Sequence, residues 1–373
     1  MAEIERALDE EVHRLYGISD EDKAAIEAEL AEHVADDDPD ADSNGNGKGD
    51  GDAGDHDYHA DELVSEGLQQ KEDLAQSWIS SAVGIVMGRF QPGVKDGLGR
   101  GNFPDETNQK LKALADPDAI LVMDKGHPDD LTAKVLECLS IMLGSSEAEE
   151  VVKSATGSDG PAGELLSKYF EKNFFKEHIQ RYRKRPVYWF LQSPGKAYGI
   201  WIFHERMTKD TLFRIRTEYV EHKIKLLESQ IADMASRKKG ASGREERALD
   251  REMSNLTDIL DDVREFAKLI KNVTDHGYTP HIDDGVLINM APLWELIPSW
   301  QKEPKEAWES LEKGEWDWSY QAMDHWPDRV KAKCKTNKSY AVMGQLWGGI
   351  LLSVSLLRKQ ESRFHAGSPL SRG

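Results

Sequence analysis

The chain has 373 residues, of which 31% are charged and 39% hydrophobic, and its net charge at pH 7 is −20. This length predicts two or more domains with a buried core, and the composition is typical of a soluble protein. The two cysteines, Cys138 and Cys334, form no Cys-x-x-Cys pair, which argues against a disulfide framework and against a zinc ribbon. The N-terminus has no signal-peptide pattern, so we expect a cytoplasmic location.

Half of the net negative charge lies in a short stretch near the N-terminus. Residues 1–35 are predicted to form a helical segment. Residues 36–62 contain 11 acidic residues and one lysine, and they have too few apolar side chains to offset their ordering entropy, which predicts a disordered linker. Asp42–Ala53 imitates a calcium loop, but Ala53 stands where a bidentate Glu is needed. The linker interpretation is therefore favoured.

Residues 63–172 are predicted to form a helical region. Leu74–Phe90 is an apolar helix that is short for a membrane span, which needs about 20 apolar residues. Ala119–Asp124 is compatible with a short buried strand. Pro117-Asp118 and Asp124-Lys125 imitate parts of a metal-dependent nuclease motif, but the residue that should separate the last carboxylate from the lysine is missing. A nuclease site is therefore excluded at this position.

Residues 173–340 form a further predicted domain. The apolar pattern changes from helical to strand period at Pro186, which predicts a β-hairpin over residues 186–204. A charged antiparallel helical hairpin is expected over 208–272, with a break at Lys239–Gly243, and a Trp-rich helical subdomain over 281–340. Residues 341–373 are an apolar and then basic tail of different character. The predicted fold class is α+β, mostly helical, with a small β-hairpin or sheet.

Two groups of polar residues have an incomplete metal-ligand pattern. His204 and Glu205 end the predicted hairpin and have no neighbouring ligand to complete a set. His276 and His281 precede Asp283-Asp284-Gly285, which is also a common turn sequence in which Asp accepts local backbone N–H groups. Core, capping and turn roles are favoured over metal binding in both places.

A cluster of cations precedes the first predicted strand of the hairpin. Such cations would neutralise phosphates, and a neighbouring aromatic ring would stack or wedge against a base. The alternative is that the cations are only solvated and that the aromatic residues belong to the core. The candidate DNA-contacting residues are Arg181, Arg183, Lys184, Arg185, Tyr188, Arg206, Lys209 and Arg214.

Four segments, in this order, resemble a known family: Ser80–Phe90, Phe174–Val220, Ile282–Leu293 and Tyr320–Ser339. The family is that of the PglX-type adenine-specific DNA methyltransferases of BREX phage-defence systems, which are related to fused type II restriction–modification enzymes. The resemblance is to the C-terminal region of these enzymes. It implies an adenine-specific methyltransferase system with double-stranded DNA as its substrate.

The sequence departs from the family in its catalytic motifs. No two of the 14 prolines are adjacent, so the family's Asn-Pro-Pro-Tyr motif, which holds the flipped adenine, is absent. A glycine-rich donor loop is absent as well. We therefore expect a non-catalytic, DNA-recognition or regulatory part, with no cofactor in this chain and S-adenosylmethionine on a separate catalytic chain. Its expected partners are DNA and the catalytic chain or other BREX proteins, without a membrane. A protein-interaction module and a truncated remnant without activity stay open as alternatives.

Overall fold

The computed structural model describes the backbone of residues 58–336 and the side chains of residues 71–333 and 335. The predicted helical segment 1–35, the calcium-like loop and the tail 341–373 lie outside these residues. Helix α1 begins at Tyr58, so the end of the predicted linker is helical. Ala60, Glu62 and Leu63 are good helix formers, which explains why the helix starts before residue 63.

Six helices of the described chain precede the second strand. Helix α3 begins after Asp130, whose side chain accepts a hydrogen bond from the backbone N–H of Thr132 at 3.0 Å. Such a cap satisfies one of the donors that a helix start leaves free. A π-helical turn, Phe170–Phe174, joins α5 to α6. The helices are α1 (Tyr58–Val86), α2 (Asp105–Leu114), α3 (Leu131–Leu143), α4 (Ser145–Thr156), α5 (Ala162–Tyr169) and α6 (Phe175–Arg181).

Three antiparallel strands form the sheet, in the order β1-β3-β2. They are β1 (Ile120–Val122), β2 (Tyr188–Gln192) and β3 (Gly199–Phe203). The predicted hairpin and the predicted strand near residue 120 are both confirmed. The pairing of β1 with β3, with Val122 opposite Ile200, extends the hairpin into a sheet.

Both faces of the sheet are buried. Every residue of β2 and β3 lies in the core. On one face the rings of Phe190 and Trp201 stack at 4.4 Å with an interplanar angle of 10°, and Phe175 meets Trp201 edge-on at 5.6 Å. A Cβ at Gly199 would lie 2.5 Å from the Phe190 ring, so this stacking requires glycine there. The sheet is therefore the centre of the main core.

The charged helical hairpin is also confirmed. A 3-10 turn, His204–Arg206, leads to α7 (Thr211–Arg214), a π-helical stretch (Ile215–Val220), α8 (Glu221–Lys238) and α9 (Arg244–Asp275). The Asp262 carboxylate of α9 accepts hydrogen bonds from the backbone N–H groups of Gly195 and Ala197, at 2.6 and 3.1 Å. This contact fixes the helical hairpin to the turn between β2 and β3.

Part of the Trp-rich region forms a smaller core, while its residues Leu293 and Leu296 belong to the main core. Its elements are a 3-10 turn (Ile282–Asp284), α10 (Val286–Met290), a second 3-10 turn (Ala291–Leu296), α11 (Lys302–Lys313), α12 (Tyr320–His325) and α13 (Pro327–Thr336). Trp308, Trp318 and Trp326 pack against buried Leu311 and Val330. Among the described helices, none is both long and apolar enough to cross a membrane.

Candidate nucleic-acid interface

Four of the cations predicted to contact DNA, Arg181, Arg183, Lys184 and Arg185, lie where α6 ends and the chain turns into β2. We call residues 181–185 the cationic turn. Arg183 and Lys184 have left-handed backbones, with φ of 47° and 60°. The Lys184 N–H donates to the carbonyl of Ile179 and the Arg185 N–H to that of Tyr182, at 2.8 and 2.9 Å. The backbone of the turn is thus fixed by hydrogen bonds while the Arg183, Lys184 and Arg185 residues are exposed.

His178 closes the base of the cationic turn. It is 2% exposed, and its Nε2 accepts hydrogen bonds from the backbone N–H groups of Val187 and Tyr188, both at 3.1 Å. An accepting Nε2 requires the neutral ring. Burial, reinforced by the charges of Arg89 and Arg181, lowers the pKa of His178 to about 3. The end of α6 and the start of β2 are therefore joined by one neutral imidazole.

Arg89, just beyond α1, holds the cationic turn from the other side. Its Nη1 donates to the hydroxyl of Tyr182 at 2.5 Å, and its guanidinium lies 5.3 Å from the centroid of the Tyr182 ring. Neither Arg89 nor His178 was among the predicted site residues. Arg89 belongs to the Ser80–Phe90 segment that carries the family resemblance, so a signal for it existed. His178 likewise belongs to the Phe174–Val220 segment that carries the resemblance, so the same signal existed for it.

Tyr188 does not belong to this surface. Its ring is 1% exposed and stacks on His178 with centroids 4.9 Å apart. The expectation that Tyr188 stacks on a base is thus corrected: the residue is part of the core. The physical reason is that α6 covers the sheet face on which Tyr188 lies.

Two of the remaining candidates have their guanidinium groups engaged within the chain. Arg206 donates to the carbonyls of Gly88 and Asp116, at 2.9 and 3.2 Å. Arg214 forms ion pairs with Asp118 and Glu218, at 2.5 and 3.0 Å. Both arginines connect elements of the core.

Lys209 and Arg181 are exposed, but they differ in surroundings. Lys209 lies in the loop before α7. Arg181 lines a small recess together with Glu177 and Tyr169, so a carboxylate is close to it. Lys184 makes one ion pair, with Glu303 at 3.7 Å, and its side chain is still 71% exposed. The residues that the structure brings together as an exposed cationic surface are therefore Arg183, Lys184 and Arg185, with Arg181 at their edge.

The candidate metal residues have other partners. The Asp284 carboxylate accepts hydrogen bonds from the backbone N–H groups of Tyr320 and Gln321, at 2.7 and 2.8 Å. His281 pairs with Asp324 at 2.8 Å. His204 is buried against Trp189, with ring centroids 4.5 Å apart, and burial lowers its pKa to about 4. Among the side chains that the structure describes, no group of three metal-ligating residues is close enough to hold an ion.

Comparison with known proteins gives two relatives. The chain is 27% identical over 254 residues to the adenine-specific methyltransferase BrxX of Escherichia coli O9:H4 (strain HS). This alignment covers 61% of the chain and 21% of BrxX. It is 24% identical over 226 residues to the adenine-specific methyltransferase PglX of Lacticaseibacillus casei (strain Zhang). This alignment covers 58% of the chain and 19% of PglX. No family model matches the chain.

The aligned part is thus about a fifth of the length of these curated relatives. The resemblance read from the four sequence segments is confirmed at the level of partial homology. The chain is a partial homologue of the BrxX and PglX adenine-specific methyltransferases of BREX systems.

Proposed function

We propose that this chain is a DNA-recognition or regulatory part of an adenine-specific methyltransferase system and that it does not transfer methyl groups itself. The partial homology to two adenine-specific methyltransferases supports the connection to methylation. The absence of adjacent prolines, and hence of Asn-Pro-Pro-Tyr, from the sequence supports the non-catalytic assignment. Catalysis and S-adenosylmethionine binding then belong to polypeptide outside this sequence.

The observation that carries the proposal is the geometry of the cationic turn. Arg183, Lys184 and Arg185 are three consecutive exposed cations on a backbone that the hydrogen bonds of Ile179 and Tyr182 hold in place. A left-handed backbone at a residue with a Cβ costs roughly 1–2 kcal/mol, and the turn has two such residues in a row. Strained backbone of this kind concentrates at functional sites.

Three cations in one place attract phosphates even on an acidic protein, because salt at 0.1 M screens charges beyond about 10 Å. The net charge of the whole chain therefore does not decide the field at the turn, which depends on the charges within about that distance. Contacts of this type position DNA without reading its sequence. Base recognition is then the task of other surfaces or of the catalytic partner.

A gel-shift titration tests the DNA part of the proposal. The full chain should bind duplex DNA at low salt, and its affinity should fall linearly with salt on a logarithmic plot. The slope is about 0.9 for each phosphate neutralised. Replacing Arg183, Lys184 and Arg185 by Ala should therefore reduce the slope by about 2 to 3.

The matched control replaces three other exposed cations of the chain. Arg244, Arg247 and Arg251 are exposed at the start of α9, and their replacement by Ala changes the net charge by the same amount. This variant should keep most of the slope. Equal loss in both variants would mean that only net charge matters, and absence of binding at low salt would refute the DNA role.

A second candidate function is a protein-interaction module that docks onto other subunits of the defence system. The observation that favours it is Trp316, which is 38% exposed and meets Trp318 edge-on at 5.7 Å. Exposed tryptophans are enriched in the central residues of protein interfaces. Co-purification of this chain with the catalytic chain in the absence of DNA, lost on Trp316→Ala, would support this role. Retention of the complex in that variant would argue against this surface.

A further inference from the structure

A glycine-rich loop, residues 91–103, lies between α1 and α2, and we call it the glycine loop. Two backbone hydrogen bonds close it. The Gln91 N–H donates to the carbonyl of Leu98 at 2.8 Å, and the Gly93 N–H donates to the carbonyl of Arg100 at 3.0 Å. The residues between these pairs are thus held in one compact shape.

Two side chains connect the glycine loop to the cationic turn. A Cβ at Gly99 would lie 2.5 Å from the Phe90 ring, so the loop backbone packs directly on that ring. The Arg89 guanidinium lies 5.4 Å from the centroid of the Phe90 ring and 5.3 Å from that of Tyr182. Because Tyr182 belongs to the cationic turn, only Phe90 and Arg89 separate the loop from the turn. One large ligand can therefore contact both.

The glycine loop carries two unpaired cations and an exposed apolar side chain. Lys95 and Arg100 are exposed, and neither forms an ion pair or a hydrogen bond with any side chain that the structure describes. Leu98 lies between them in the sequence, has a glycine on each side, and is 59% exposed. The loop has one carboxylate, that of Asp96. It therefore presents a bare leucine within a weakly cationic surface.

Cations beside an exposed apolar side chain are typical of proteins that enter the minor groove of DNA. The cations bind phosphates, and the apolar side chain contacts the base pairs or wedges between them. A protein helix fits the major groove, which is about 12 Å wide, whereas the minor groove is only about 6 Å wide. A leucine with glycine on both sides is narrow enough for the minor groove.

We propose that the glycine loop enters the minor groove of the duplex whose phosphates the cationic turn contacts. Lys95 and Arg100 bind phosphates beside the groove, and Leu98 packs on the base edges at its floor. This inference rests on the proposed DNA role and adds a contact with the bases that the turn does not make. The minor groove distinguishes mainly A·T from G·C pairs, so the expected preference is for A·T-rich DNA.

Three duplexes of one length, with A·T, G·C or inosine·C pairs at the centre, identify the groove. Inosine lacks the N2 amine of guanine, so an inosine·C pair resembles A·T in the minor groove and G·C in the major groove. In gel-shift titrations of the full chain, the inosine·C duplex should bind as the A·T duplex does. Both should bind about 3- to 10-fold more tightly than the G·C duplex, because the guanine amine keeps Leu98 from the floor of the groove.

Two variants separate the apolar contact from the phosphate contacts. Leu98→Ser should weaken binding to the A·T duplex about 3- to 10-fold, the effect of leaving part of a leucine in water. It should also remove the preference over G·C while the salt slope is unchanged. Lys95→Ala combined with Arg100→Ala should reduce the salt slope by about 2. Thermal melting of both variants checks that these exposed substitutions leave the fold intact.

Matched controls lie on the helical hairpin. Leu226 of α8 is another exposed leucine, at 41%, and Leu226→Ser should leave the base preference unchanged. Arg244→Ala combined with Arg247→Ala removes two exposed cations of α9 and should keep most of the salt slope. The inference is overturned if the inosine·C duplex binds as G·C does, if the three duplexes bind alike, or if the loop variants behave as these controls do.

The same titrations separate this inference from the role of the cationic turn. Binding that depends on the turn but on neither Leu98 nor the loop cations overturns the loop contact alone. Binding that depends on the glycine loop but not on the turn overturns the role of the turn alone. Absence of binding at low salt overturns both.

Discussion

The cationic turn and the region around β1 both concentrate charged side chains, and they arrange them in opposite ways. Around β1, three cations face carboxylates. Lys134 lies between Asp116 and Asp129, at 2.8 and 3.1 Å, and these two pairs belong to a β1 charge network that also includes the pairs Arg214–Asp118 and Lys223–Asp124. On the turn, Arg183, Lys184 and Arg185 are exposed together. The carboxylate of Glu303, which is far away in the sequence, lies 3.7 Å from the Lys184 amine.

The charges around β1 are paired within the protein and stabilise the fold, whereas the cations of the turn are free to contact another molecule. A partly buried pair whose partner is removed leaves an uncompensated charge in the core, which is strongly destabilising. Exposed cations contribute little to stability, so the three on the turn can be replaced without much loss of folding free energy, which allows the proposed DNA contact to be tested separately from the fold.

The largest effect is expected in the β1 charge network. Lys134→Met should lower the free energy of unfolding by roughly 3 kcal/mol, because the Asp116 side chain is 4% exposed and loses its cation. Lys110→Met on α2 removes an exposed pair with Glu106 and should cost less than about 0.5 kcal/mol. Urea denaturation of both variants measures the difference, and equal losses would contradict the structural role of the network.

Sequence patterns predicted the local elements well and the long-range contacts poorly. The strand period over 186–204 and the break at Lys239–Gly243 are local signals, and both elements formed as expected. The pairing of β1 with β3 joins residues 78 to 82 positions apart, which no local period encodes.

The candidate site shows the same limit. Alternation on a strand assigns one face to solvent only if that face is uncovered. Here α6 packs over the face that carries Tyr188 and Phe190, so the aromatic residue next to the cations is in the core. The αL geometry of Arg183 and Lys184 was equally hidden, because no glycine or asparagine marks it.

An intermediate effect is expected from the histidine at the base of the turn. The folded chain keeps His178 neutral down to a pKa of about 3, whereas an unfolded histidine takes up a proton below about pH 6.5. The unfolded state therefore binds more protons between these values, and stability falls as the pH falls through this window. From pH 7 to pH 5 His178 should account for a loss of roughly 2 kcal/mol.

The His178→Gln variant isolates that contribution. Glutamine keeps an oxygen that can accept from Val187 and Tyr188 but does not titrate, so its unfolding free energy should change less between pH 7 and pH 5. His204 is also buried with a lowered pKa, so it contributes equally to the pH dependence of the unfolding free energy in the variant and in the parent chain. Identical pH slopes for the variant and the parent chain would show that His178 is not held neutral.

The smallest change in stability is expected on the cationic turn itself, where backbone strain and DNA binding can be measured separately. Replacing Arg183 and Lys184 by Gly relieves two left-handed residues, a relief of roughly 1–2 kcal/mol each that the extra flexibility of unfolded glycine offsets by roughly half. The variant should be more stable by about 0.5–1 kcal/mol per site in urea denaturation. Its gel-shift salt slope should nonetheless fall by about 2.

The control is Lys196→Gly, at another left-handed and exposed position, in the turn between β2 and β3. This variant should gain similar stability, and the salt slope of its DNA binding should be unchanged. A cationic turn that gains stability while losing DNA affinity would show that its strain is retained for binding, and a gain in stability at unchanged affinity would assign its cations to solvent alone.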